Sequence, residues 1–191
     1  VTGVQTCALP ILNTSRFIIY VMLLLSLTLS EGLGGAFGEY IRWRTYEDGM
    51  NEIKEKKRPG LIVIHRDWCS SCQTIGGYCS DDIPLIKMSK KFVMISAPNG
   101  EEPQDETFQM DGAYFPRFYF INPDGSVNYD IVSNPDSTTY QFYYPGPEPL
   151  VDAMKRMIKD LKRKKHRKQA RMEKKQEEIE VDESQFAAED L

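Results

Sequence analysis

Four consecutive apolar residues, Leu61-Ile62-Val63-Ile64, are followed within a few positions by Trp68-Cys69-Ser70-Ser71-Cys72, and that order narrows the fold more than any other feature of the chain. An unbroken apolar run leaves no side for water, so the segment predicts a strand covered on both faces, at the centre of a sheet. The residues after it lie where such a strand turns into a helix, which puts Cys69 and Cys72 at a helix N-terminus. There the unpaired amides and the helix dipole favour thiolate over thiol. Two intervening residues bring the second sulfur into disulfide range. Cys69 therefore reads as the attacking nucleophile and Cys72 as the thiol that resolves a mixed disulfide.

The flanking segments supply the rest of an α/β domain. Residues 45–57 carry helix formers with Met50 and Ile53 on one face, and Pro59-Gly60 ends them. The helix that starts at the dithiol is expected to run on to residues 86–91, with a break near Pro84. Residues 92–96 read as a second buried strand, and the acidic stretch 101–106 as an exposed loop or short turn. Residues 114–121 form a third strand. Asn122-Pro123-Asp124-Gly125 is a strong turn signal before a fourth strand at 126–132, so the last two pair as a hairpin. The aromatic run 140–144 reads as strand or edge packing. Leu150, Met154, Met157, Ile158 and Leu161 recur at helical spacing in a final helix.

A length of 191 residues suits one folded domain with tails. Composition decides two further points. An apolar fraction of 41% provides enough burial to offset the entropy of ordering the chain, and a net charge of -4 gives no basic field, so no nucleic-acid partner is expected. Arg16 precedes an apolar run over residues 17–29 with small residues at Thr28 and Ser30, the pattern of a secretory signal peptide cleaved after Ser30. The run falls short of the ~20 residues needed to cross a bilayer core, so no stable membrane anchor is expected. Residues 1–11 lack an initiator methionine and resemble a translation scar. Cys7 and the Asn13-Thr14-Ser15 triplet precede the cleavage point and carry little weight. The expected organisation is scar and signal peptide at 1–30, a folded domain at 31–161 and a charged tail at 162–191. The tail is basic through Lys175 and acidic beyond, and reads as a solvated helix extension or a disordered segment.

Half of a zinc site is the competing reading of a lone CxxC pair. A second ligand pair is missing, with His65 and Cys79 the only nearby candidates, so redox chemistry is favoured and no metal is assigned. Cys79, seven residues past Cys72, reads as a buried unreactive thiol ahead of a regulatory disulfide partner. Trp43 and Trp68 read as core or rim aromatics, Trp68 also shielding Cys69. Beside the dithiol, Asp67 would raise a thiolate pKa while Arg66 and His65 would lower it.

Trp68-Cys69-x-x-Cys72 after a buried strand, with Tyr114-Phe115-Pro116-Arg117 opening a later one, resembles the thioredoxin superfamily. The segments 32–38, 43–49, 92–94 and 101–106 are similar to its small endoplasmic-reticulum members grouped with the anterior gradient proteins, over residues 32–156. The resemblance implies a thioredoxin fold with a central mixed sheet flanked by helices. It implies a cis Phe115-Pro116 bond facing the dithiol, with Trp68, Phe115 and Pro116 meeting the client. It further implies a thiol-disulfide oxidoreductase, a protein-disulfide reductase, working on secretory client proteins in the endoplasmic-reticulum lumen, with no bound cofactor and glutathione as redox partner. The alternative is a client-binding chaperone or adhesion-type protein with little turnover; keeping Cys72 argues against it, since a capture-only site can dispense with the resolving thiol.

Two departures from the family stand out. Six residues before Cys69, where thioredoxin keeps a buried acid, this chain has Val63, so no proton-relay carboxylate is expected there. The C-terminal Ala188-Glu189-Asp190-Leu191 resembles a Lys-Asp-Glu-Leu retrieval signal without its penultimate glutamate, which leaves retention and secretion both open.

Overall fold

The computed structural model describes residues 32–104 and 106–189. The expected scar and signal peptide, Cys7, the Asn13 triplet and residues 190–191 lie outside the described residues. The strands are β1 (Trp43–Arg44), β2 (Gly60–His65), β3 (Val93–Pro98), β4 (Arg117–Ile121) and β5 (Val127–Asn128). The helices are α1 (Tyr46–Lys56), α2 (Ser70–Cys79), α3 (Ile83–Ser89) and α4 (Pro147–Glu189), with a 3-10 turn at Gly35–Phe37 and another at Glu106–Phe108. The strands form one mixed sheet in the order β1-β3-β2-β4-β5. β1, β3 and β2 run parallel, β4 is antiparallel to β2, and β5 is antiparallel to β4.

The apolar run lies where a doubly covered strand belongs. Every residue of β2 is buried, and its side chains alternate between two cores. Leu61 and Val63 join Phe118, Phe120, Ile75, Leu85 and Met154 under α2, α3 and α4. Ile62 and Ile64 join Ile53, Ile95, Tyr119 and Phe142 under α1 and the chain that crosses that face. Thr45 caps α1 by accepting from the Asp48 amide, and Lys57 ends it in the left-handed conformation.

Four boundaries differ from the sequence expectation. The helix beginning at the dithiol stops at Cys79 and a separate one starts at Ile83, because Asp82 caps it through the Leu85 amide and Pro84 sits in its first turn, where a missing N–H costs nothing. The third strand starts at Arg117, three residues later than the aromatic pattern suggests. β5 is only two residues long: the Asn128 side chain accepts from the Asp130 amide and turns the chain away, although the hairpin itself forms. The 140–144 run makes no strand. It tucks Phe142 and Tyr144 into the two cores and lends the Phe142 carbonyl to the Phe118 amide at the mouth of β4.

Helix α4 buries Leu150, Val151, Ala153, Met154 and Met157 on the sheet and then continues, with every side chain from Lys162 to Gln176 exposed. Among the described residues no helix is long and apolar enough to cross a membrane.

Candidate functional site

Cys69 is the N-cap of α2. Its backbone is extended, with φ -83° and ψ 110°, and its sulfur accepts from the Cys72 amide at 3.1 Å, in the position where an N-cap oxygen would stand. That geometry places the sulfur among the orphan donors of the first helical turn. Cys69 and Cys72 form a disulfide with their Cα atoms 5.2 Å apart. The two sulfurs differ in access: Cys69 is 8% exposed and Cys72 1%. Cys69 is thus the more accessible of the two.

Helix α2 gets close to the rest of the domain through Gly76. A Cβ there would stand 2.6 Å from the Ala36 Cβ, so the bare backbone lets the 35–37 turn lie against the helix one turn past Cys72. Cys79, one turn further along, is fully buried, and burial pushes its thiol up to about 12, with Asp82 adding to the shift. It is a core group and no partner for the pair.

Trp68, next to Cys69 in sequence, meets Phe115, the residue before Pro116. The Phe115-Pro116 peptide bond is cis. Trp68 is a rim aromatic, 76% exposed, and its ring meets the half-buried Phe115 edge-on, with centroids 5.9 Å apart and planes at 87°. The Arg66 guanidinium lies 4.1 Å from the Phe115 ring centroid and that of Arg117 5.0 Å.

Behind these rings lies a cluster the sequence reading missed. Glu102, placed by that reading in an exposed acidic loop, is 5% exposed. It accepts from Arg66 through both carboxylate oxygens, at 2.5 and 3.2 Å, and its Oε1 lies 3.6 Å from Arg117 Nη2. Arg117 also donates to the Gly112 carbonyl at 3.0 Å, while its Nε has no partner among the described residues. A charged residue opening an apolar strand demands a buried counter-charge, and that demand was the available signal.

The electrostatics beside the dithiol are corrected accordingly. The Arg66 charge is matched by Glu102. His65 is buried, its Nε2 2.8 Å from Ser96 Oγ, and burial holds its pKa below the ordinary value, partly offset by Asp67. It therefore supplies no positive charge near neutral pH. Asp67 is engaged with Asn99, which donates to its carboxylate at 2.6 Å. Val63 lies between Ser96 and Phe118 in the sheet and is 1% exposed. No set of three or more His, Cys, Asp or Glu side chains able to hold a metal occurs among the described residues.

A dithiol at the N-terminus of the helix that follows the central strand of a mixed sheet, with a cis proline immediately before the antiparallel neighbour of that strand, defines a thioredoxin-like domain. Residues 42–123 match the family described as Thioredoxin-like. The chain is 30% identical over 126 residues to Anterior gradient protein 3 of Xenopus tropicalis, covering 65% of this chain and 73% of that protein. It is 29% identical over 135 residues to Anterior gradient protein 2 homolog of Homo sapiens, covering 70% and 76%. A solved thioredoxin from Thermus thermophilus is 19% identical and covers 44% of this chain and 65% of its own, with a TM-score of 0.36. The chain belongs to the thioredoxin superfamily and, within it, to the anterior gradient group.

Proposed function

We propose that this protein is a thiol-disulfide oxidoreductase of the secretory pathway, a glutathione-linked protein-disulfide reductase that acts on client proteins in the endoplasmic-reticulum lumen. The observation that carries the reading is the asymmetric pair: Cys69 at the rim on a helix N-cap, Cys72 beneath it, joined as a disulfide. With the pair reduced, the Cys69 thiolate attacks one sulfur of a client disulfide. A Cys69–client disulfide forms and the second client sulfur leaves as thiolate, taking a proton from water. The Cys72 thiolate then attacks Cys69, closing the Cys69–Cys72 bond and releasing the first client sulfur. Two electrons pass to the client. Two glutathione molecules restore the dithiol, giving up their thiol protons and leaving as one glutathione disulfide. Run in reverse, the same steps oxidise a client dithiol.

Trp68 and Phe115 offer the client an aromatic wall beside the attacking sulfur. The apolar segment 17–29 supports a lumenal address, where such exchange is useful. The Cys69–Cys72 couple should equilibrate with glutathione as a two-electron pair, and the reduced protein should turn over a peptide disulfide in a glutathione-dependent assay. A pair that stays oxidised at any glutathione ratio and leaves the peptide disulfide intact would make the bond structural and overturn the proposal.

A further inference from the structure

Glu102 joins three segments that are distant in sequence: Arg66 just before the dithiol, its own loop after β3, and Arg117 just after Pro116. All three charges are withdrawn from water, with side-chain exposures of 12% for Arg66, 4% for Glu102 and 2% for Arg117. Both guanidiniums lie against Phe115, and Phe115 lies against the exposed Trp68. The cluster thus fixes one wall of the surface beside Cys69, and it sets the charge felt there. Arg66 is the member nearest to solvent, and Glu102 is its bidentate counter-charge. Partly buried charges are screened far less by salt than surface ones, so a change of charge in this cluster would reach a client held on the rings.

We propose that the Arg66–Glu102–Arg117 cluster sets client specificity: it holds Phe115 against Trp68 as an apolar wall, and Glu102 halves the positive charge behind that wall, so that the site selects disulfides flanked by aromatic or large apolar side chains over those flanked by carboxylates. This rests on the oxidoreductase reading above. Glu102 acts as a positioning residue, through Arg66 and Phe115, and takes no part in the exchange of sulfur bonds. Its removal leaves two guanidiniums without a carboxylate, which attracts acidic flanks; removal of Arg66 leaves Glu102 paired with Arg117 and no net positive charge, which attracts them less than the parent does.

The test uses two synthetic peptides, each holding one disulfide, identical except for Phe or Glu beside a cysteine, and reads the ratio of their kcat/KM values. The parent protein is expected to favour the Phe peptide about tenfold, a difference of about 1.4 kcal/mol in transition-state binding. Glu102→Gln should cut that ratio about fivefold by accelerating the Glu peptide, Arg66→Gln should raise it, and Glu102→Asp, which keeps the charge, should retain it. Opposite shifts from two neighbouring substitutions are not produced by loosened structure alone. If Glu102→Gln fails to fold, Arg66→Gln decides by itself. Parental ratios in both Gln variants, or a parent that reduces both peptides equally well, overturn the specificity role and leave the oxidoreductase reading standing. A parent that reduces neither peptide overturns that reading, and this inference with it.

Discussion

Glu52 shows how a single side chain ties β1 to α1. It accepts from Arg44 Nε at 2.7 Å and from Lys56 Nζ at 2.8 Å, and these partners, Lys56 foremost, hold its pKa at about 2 against an ordinary 4.5. A carboxyl whose folded pKa is depressed contributes stability that is fully present above the unfolded value and is lost as pH falls through the folded one. The window is therefore pH 4.5 down to about 2. Because Glu52 keeps some contact with water, the contribution is on the order of 1–2 kcal/mol. The melting temperature of the parent should drop across that window by several degrees more than that of Glu52→Gln, measured by circular dichroism. Equal drops would show that the Arg44 and Lys56 contacts add nothing to the fold. At this scale the sequence was most legible where a residue's role depends on near neighbours. Cys69 and Cys72 follow from spacing of a few positions, whereas Glu102 is buried by Arg66 and Arg117, partners 36 residues before it and 15 after, and local polarity pointed the wrong way.

At the scale of elements, the contact of α2 with the 35–37 turn holds the dithiol helix on the domain, and two adjacent glycines on that helix separate packing from propensity. A Cβ at Gly76 would meet Ala36 at 2.6 to 2.8 Å, two of the three contacts being backbone, whereas one at Gly77 meets nothing within 4 Å. Gly76→Ala should therefore destabilise by about 1–3 kcal/mol through overpacking. Gly77→Ala should stabilise by about 0.5–1 kcal/mol through helix propensity alone. Urea unfolding of both variants checks the pair of signs; a stabilising Gly76→Ala would mean that the turn does not bear on the helix. The central strand, the first helix and the hairpin were readable because an apolar run, a helical period and a turn signal are each written in a few consecutive residues. β1 was not, since two residues carry no period and Trp43–Arg44 becomes a strand only by pairing with Met94 and Ile95. The split between α2 and α3 was foreseen near Pro84 but is set by the Asp82 cap, a local competitor to helix continuation.

At the scale of the whole molecule, the sheet places a redox pair at one end of β2 and sends α4 away from the domain. The charged extension beyond Lys162 buries no described side chain, so a chain ending at Lys162 should melt within ~4 °C of the parent, the shift that accompanies about 1 kcal/mol in a domain of this size. A larger loss would show that the extension packs on the domain. Trapping of mixed disulfides distinguishes Cys69 as the attacking sulfur from Cys72 as the resolving one. Mass spectrometry of Cys72→Ala after incubation with glutathione disulfide or a client should show adducts on Cys69, because attack proceeds and resolution cannot; Cys69→Ala should carry far fewer on the other member of the pair, Cys72 lying buried at 1% exposure. Equal adduct levels on the two variants would contradict the assignment.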